Sequence, residues 1–294
     1  MSIKKIVITK GIYENKELRL LVSFDENGMP LDIINLDNTK IGTVCIATVE
    51  KVLSNIDSCI CKLSIGEKGF IETKKLLPEY FIVRHSEKKK VCQEDQFYVV
   101  ITQDKKGSKP FSCSFVKKLV NENENNGFIN HYVNEYAASD YEIVTDLPEI
   151  LESNLNVRVY EDDSYSLWNL YDFTKILNNI TSKVCHLKNG GNIVIEPTEA
   201  LTVIDVNTSK NHGKTNAFDT NKQAIDEIIR QIRLRSISGI IVVDLLKVSK
   251  EEEQELIRYF KDNSSEDVSN IAVHGFTHLG LLEITRSRIF SSVF

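Results

Sequence analysis

The sequence is poor in residues that punctuate, staple or anchor a chain. Five prolines, one tryptophan and two methionines are spread over 294 residues, which excludes proline-rich and low-complexity proteins. Six cysteines are present, Cys45, Cys59, Cys61, Cys92, Cys113 and Cys185, and none forms a CxxC pair. Neither a disulfide framework nor a zinc ribbon is expected; the lone CxC of Cys59 and Cys61 lacks partners, and cysteines inside apolar runs are expected as buried small hydrophobes. No apolar run reaches the roughly 18 residues of a membrane span, and the first residues lack a long hydrophobic stretch and a small-residue cleavage site. A cytoplasmic chain with no membrane partner is expected. Basic charge does not dominate either, since 36 Lys and Arg stand against 42 Asp and Glu, for a formal charge of −6. That argues against a protein coating nucleic acid along its whole length, while a local basic patch stays open.

What the chain does contain is ordinary globular material, 41% hydrophobic and 27% charged, long enough for two or three modules. Residues 1–38 read as strands, "KKIVIT", "LRLLVSF" and "PLDIINL", separated by turn chemistry at Glu14-Asn15 and Glu26-Asn27-Gly28. Residues 39–118 continue as short strands broken by polar turns, the pattern of a small closed barrel of the OB type; an SH3-like barrel fits nearly as well. The stretch 101–118 sets Lys105, Lys106, Lys109, Lys117 and Lys118 against Asp104 alone, a candidate phosphate-facing surface or a solvated hairpin. Residues 119–190 open on a polar, Asn-rich stretch that reads as a linker. Helical spacing follows, with Leu167, Leu170, Tyr171, Ile176, Leu177 and Ile180 as a core-facing stripe.

Residues 191–294 carry the strongest local signal. "NIVIEP" and "ALTVIDV" read as strands, the second apolar on both faces and so expected to be covered on both sides. "NAFDTNKQAIDEIIRQIRLR" reads as a helix burying Phe218, Ile225, Ile228, Ile229 and Ile232. "GIIVVDLL" is a second such strand. Strand, helix and strand make a βαβ unit whose parallel strands end at one edge, bringing Asp205 and Asp244 together, with Asn207 on the face of Asp205. Two adjoining carboxylates repel unless a proton or cation joins them. Hard oxygen ligands on short side chains suit Mg²⁺, which keeps waters and takes phosphate oxygens in its other positions. The competing reading is a helix-capping Asp at one position and a surface Asp at the other. The basic loop with Lys210, His212 and Lys214 follows Asn207, as a phosphate grip or a solvated connection. Arg286 and Arg288 alternate on a strand and are candidates to face RNA. His274 and His278 in "HGFTHLG" sit in a strand-turn-strand context rather than on a zinc-binding helix.

The stretches "TEALTVIDVNTSK", "NAFDTNKQAIDEIIRQIRLRSISGIIVVDLL" and "HLGLLEITRSR" resemble the catalytic domain of the RNase E/G family of bacterial endoribonucleases, and the resemblance extends over most of the chain. It implies a multi-domain α+β fold, an RNase H-like and DNase I-like α/β catalytic region with an inserted S1-type OB-fold barrel. The expected division is N-terminal RNase H-like strands at 1–38, the RNA-binding barrel at 39–118, a shortened RNase H-like or linker region at 119–190 and a DNase I-like catalytic domain at 191–294. It implies Mg²⁺ held by Asp205 and Asp244, an orienting role for Asn207, and hydrolysis of single-stranded RNA leaving 5′-phosphate ends. In the barrel, the family's RNA-contacting aromatic falls on Phe70 and a phosphate-pairing lysine on Lys109.

Departures from the family pattern are informative. Ile60 stands where a second barrel aromatic is usual, and Lys247 where an aspartate often follows the second catalytic one. The Arg-Thr pair of the family's 5′-end sensor is not found. With no CPxC zinc-link, a monomer or a different homodimer is expected rather than the zinc-bridged dimer. The alternative to the enzyme is a non-catalytic RNA-binding protein that retains the fold.

Overall fold

A computed structural model describes residues 2–86, 90–105, 108–116, 127–150, 155–208 and 216–294. The chain starts with three antiparallel strands, β1 (Ile3–Tyr13), β2 (Lys16–Phe24) and β3 (Pro30–Asn35). Glu14 and Asn15 join the first two with positive φ values of 47° and 64°, the handedness a tight hairpin turn demands. The next six strands are β4 (Val44–Leu53), β5 (Ser58–Leu63), β6 (Lys68–Glu72), β7 (Phe81–Val83), β8 (Gln96–Gln103) and β9 (Phe111–Phe115). Five of them close on themselves in the ring β4-β5-β6-β9-β8, sealed by the β4–β8 pairing, while β7 adds to β8 outside the ring. This is an OB-like barrel. Its interior takes alternate residues of each strand, among them Cys59, Cys61, Val99, Ile101 and Cys113, all buried and all the thiols free. The Sγ atoms of Cys59 and Cys61 lie 3.6 Å apart, pointing into one core.

The chain then returns to the first sheet. Helix α1 (Phe128–Tyr136) leads into β10 (Ala137–Thr145), which runs parallel beside β1, and β11 (Val157–Val159) pairs with β10. The sheet order is therefore β11-β10-β1-β2-β3, with the barrel inserted in the chain between β3 and α1. The polar stretch expected as a linker is structured from residue 127 onward. Its polar residues take the outer side of α1, while Ile129, Tyr132 and Val133 turn inward. Helices α2 (Leu167–Leu170) and α3 (Phe173–Thr181) cover the other face of this sheet, and Asp172, at φ 51°, breaks the helical run between them. That break leaves Leu170 half exposed and puts Trp168 into the core in its place. The indole lies against Gly11 so closely that a Cβ there would meet it at 2.2 Å.

The second sheet is built from β12 (Val184–His186), β13 (Asn192–Pro197), β14 (Leu201–Asn207), β15 (Gly239–Asp244), β16 (Ile271–Phe276) and β17 (Leu282–Arg286), in the order β12-β13-β14-β15-β17-β16. Helix α4 (Ala217–Leu234) crosses between β14 and β15, which run parallel, and α5 (Lys250–Asn263) follows β15. Ile204, Ile225, Ile228, Val243, Leu256 and Ile284 are among the residues closing the core between sheet and helices, each contributing about 1.5–3 kcal/mol relative to exposure. Among the described residues, only one face of this sheet is covered. Val203 and Ile240 are 39% and 51% exposed, so the expectation of strands buried on both sides does not hold: β-branched residues on the open face mimic a doubly buried strand. It is the first sheet that is packed on both faces.

A buried ion pair joins the two sheets. Arg233 of α4 donates from Nε and Nη2 to the Asp32 carboxylate of β3, at 2.9 and 2.7 Å, and the Tyr132 hydroxyl of α1 donates to the same carboxylate at 2.6 Å.

Candidate active site

The parallel pairing of β14 with β15 sets Asp205 directly opposite Asp244, with backbones about 4.8 Å apart. Buried neighbours impose that register. Ile204 and Val206 on one strand, and Ile241 and Val243 on the other, face the helices, so slipping either strand by one residue would drive a carboxylate into the core. Both aspartates project from the open face, exposed, and neither forms an ion pair with any described residue.

Asn207, two residues beyond Asp205, donates from Nδ2 to Asp205 Oδ2 at 2.8 Å. The same nitrogen lies 3.5 Å from Asn192 Oδ1 on β13, where Asn192 is the register partner of Asn207. The amide thus fixes the rotation of the first carboxylate. Asn192 belongs to no motif; the antiparallel pairing of "NIVIEP" with "LTVIDVN" about the tight turn at Thr198–Leu201 is what brings it to the cluster.

Helix α4 holds both strand ends. The Asn221 side chain, fully buried, donates to the Leu246 carbonyl at 2.8 Å and accepts from the Leu246 amide at 3.0 Å, clamping the chain two residues past Asp244. On the other side, Asn189 donates to Thr220 Oγ1 at 3.0 Å and accepts from the Gly191 amide at 3.1 Å. This seats Gly191 so near the Asn207 carbonyl that a Cβ would come within 2.6 Å of it. Neither Asn221 nor Thr220 stands out in the sequence, where both read as polar residues of an amphipathic helix.

The other candidate residues are distributed more widely. Phe70 lies half-buried on the outer surface of the barrel, with Ile60 and Ser112 as its cross-strand neighbours. Lys109 is exposed. Lys105 is exposed, pairs with Glu67 at 2.9 Å, and stands 5.6 Å from the centre of the Phe111 ring. Lys106, Lys210 and Lys214 lie outside the described residues. Arg286 does not face solvent. It is 4% exposed, paired with Asp267 at 2.7 Å, and donates to the Ile237 carbonyl, so the expectation that it faces RNA is corrected: Arg286 shares the covered face of β17 with Leu282 and Ile284, where the Asp267 carboxylate meets its charge. Arg230 is likewise engaged with Glu227, and Arg235 with Gln231, the Asn179 carbonyl and the Cys185 thiol. His274 lies on β16, its Nε2 2.9 Å from Thr285 Oγ1, in the strand context expected for it. No group of three or more His, Cys, Asp or Glu positioned for a metal occurs among the described residues; the constellation is two carboxylates and an amide.

Comparison with known proteins converges on the same region. The sequence profile of the Ribonuclease E/G family matches residues 89–289. The chain is 34% identical over 132 residues to Ribonuclease G of Salmonella typhimurium, covering 43% of this chain and 27% of that protein. It is 35% identical over 132 residues to Ribonuclease E of Buchnera aphidicola subsp. Acyrthosiphon pisum, covering 43% of this chain and 15% of that protein. Ribonuclease G of Escherichia coli K12 is 33% identical over 132 residues, with 43% and 27% covered. In each case the match spans less than half the length of the relative.

Proposed function

Since this chain belongs to the Ribonuclease E/G family, we propose that it is an endoribonuclease that hydrolyses single-stranded RNA with Mg²⁺ and leaves 5′-phosphate ends. The observation that carries this reading is the in-register pair of Asp205 and Asp244 on an open sheet face, with Asn207 bonded to the first. The donor set fits a hard divalent cation. Two exposed carboxylates stand side by side without a described counter-cation, an arrangement whose repulsion a bound cation relieves.

Asp205 and Asp244 would hold the ion, which when bound supplies Lewis-acid stabilisation and an activated water for phosphodiester cleavage. Asn207 keeps Asp205 Oδ2 turned toward its own amide, and so presents Oδ1 outward. Gly191 and Asn221 hold the backbones on either side. On the barrel, Phe70 offers a ring for base stacking, while Lys105 and Lys109 offer charge to the backbone, a combination that binds single strands without regard to sequence. From the sequence, Lys106, Lys210 and Lys214 are added as phosphate contacts. The order β3-β2-β1-β10-β11 supports an RNase H-like first module, the parallel β6–β9 closure an S1-type barrel, and the β14-α4-β15 unit a DNase I-like catalytic module.

The test is cleavage of a labelled unstructured RNA across a Mg²⁺ titration, with binding read by gel shift in the same tubes. Asp205→Asn and Asp244→Asn should each lower cleavage by more than about 100-fold and change binding by less than about threefold. Unchanged cleavage by either purified variant overturns the assignment. Binding by the parent without metal-dependent product would favour the non-catalytic RNA-binding protein instead.

A further inference from the structure

A cleft of about 690 Å³ opens where the three modules meet. Its walls are Lys105 just past barrel strand β8, the end of α3 with Lys183 beyond it, the turn at Thr198–Leu201, the α4–β15 connection from Arg235, and the segment from Arg288 to Phe294. Four cationic side chains line it, Lys105, Lys183, Arg235 and Arg288, against a single carboxylate side chain, Glu199. Arg235 is already occupied by α3, α4 and Cys185. Arg288 is not: its Nε is buried with no hydrogen-bond partner among the described residues, an unfavourable state for a polar group. The charge it faces is Asp104, whose carboxylate is taken up by the Lys40 and Ser291 amides and the Thr39 hydroxyl, at 3.1, 3.3 and 3.3 Å.

The position of the cleft gives the charge a use. Lys105 belongs to the barrel, where its partner Glu67 directly precedes β6, the strand that carries Phe70. Leu201 begins β14 on the open face that ends at Asp205, roughly 13 Å further along the strand at about 3.3 Å per residue. A strand of RNA leaving the barrel surface would reach the open face through this opening. Lys183 and Lys105 are each paired with an exposed glutamate, Glu196 and Glu67, and surface pairs of that kind hold their partners weakly. They can exchange a carboxylate for a phosphate at little cost.

We propose that this cleft is a backbone-binding subsite for single-stranded RNA, in which Arg288 and Lys183 hold phosphodiester groups of the segment between the barrel and the catalytic carboxylates. The inference rests on the ribonucleic acid substrate proposed above. It does not need cleavage, so binding is measured in EDTA with a fluorescent unstructured oligoribonucleotide over a range of salt concentrations. Arg288→Gln with Lys183→Gln should weaken binding roughly tenfold, alike for different base sequences. The slope of log affinity against log salt should become shallower by about 1.4, at about 0.7 per phosphate contact on a single strand. Lys183→Gln alone, at a 70% exposed side chain where folding is not at stake, should weaken binding roughly threefold. Parent-like affinity and slope in Lys183→Gln and in a folded double variant overturn the subsite while leaving the ribonuclease reading intact. Failure of the parent itself to bind RNA overturns both.

Discussion

Charged residues of the same type have opposite duties in this chain, and burial decides which. Arg286 and Asp267 are a buried pair, 4% exposed and bonded through several atoms. Arg286→Ala leaves Asp267 uncompensated and should cost about 3–5 kcal/mol, read by urea unfolding. Lys105→Ala, at an exposed pair, should change stability by less than about 0.5 kcal/mol yet weaken RNA binding in the gel-shift assay. Asp205 and Asp244 were legible in the sequence because each ends an apolar run, and a strand whose neighbours are Ile204 and Val206 has one place for a charge. Arg286 obeys the same alternation, since it shares the covered face of β17 with Leu282 and Ile284, but its positive charge suggested solvent because its partner Asp267 is supplied by a loop 19 residues away in sequence. Alternation says which residues share a face of a strand, and it does not say what packs over that face.

At the level of elements, α4 does more than cover a sheet. Its amphipathic pattern disclosed the buried isoleucines but not the two polar residues at its start, because Thr220 and Asn221 bond to the Lys188–Gly191 turn and to Leu246, contacts distant in sequence. Asn221→Ala removes both bonds to the Leu246 backbone and should destabilise by about 1–3 kcal/mol. A larger effect is expected on turnover, with kcat falling more than KM rises, because the segment following Asp244 loses its clamp. An equal change in both parameters would show Asn221 to be structural alone. The strand assignment was clear from composition, yet burial on both faces was not. Val203, Ile240 and Val242 satisfy the same apolar pattern whether a helix or solvent lies above them.

For the molecule as a whole, the joint between the sheets is ionic. Burial alone would raise the Asp32 pKa, but the Arg233 guanidinium and the hydroxyls of Tyr132 and Ser23 outweigh it and hold the carboxyl below its ordinary value. A depressed carboxyl stabilises the fold fully above the unfolded-state value of about 3.9, and that contribution is lost as pH falls through the lower folded value. Asp32→Asn should therefore cost about 3–5 kcal/mol at neutral pH by leaving Arg233 unpaired. The gap from the parent should narrow below about pH 4, measured by urea unfolding across pH; a gap constant down to pH 2 would refute the coupling. None of this joint was legible beforehand, since Asp32 and Arg233 lie in stretches that read as an ordinary strand and an ordinary helix.

The attachment of the barrel also has a consequence for how the protein is made. The Asp104 amide donates to the Ile289 carbonyl at 3.0 Å and its carboxylate accepts from the Ser291 amide, while Phe290 inserts among Phe128, Tyr132 and Tyr136. During synthesis the barrel is complete long before residues 289–291 leave the ribosome, and domains of this kind fold as they emerge. A nascent chain can thus carry a finished barrel that is not yet locked against the sheet of Asp205 and Asp244, and its alignment waits on residues 289–291, which are translated well after the barrel.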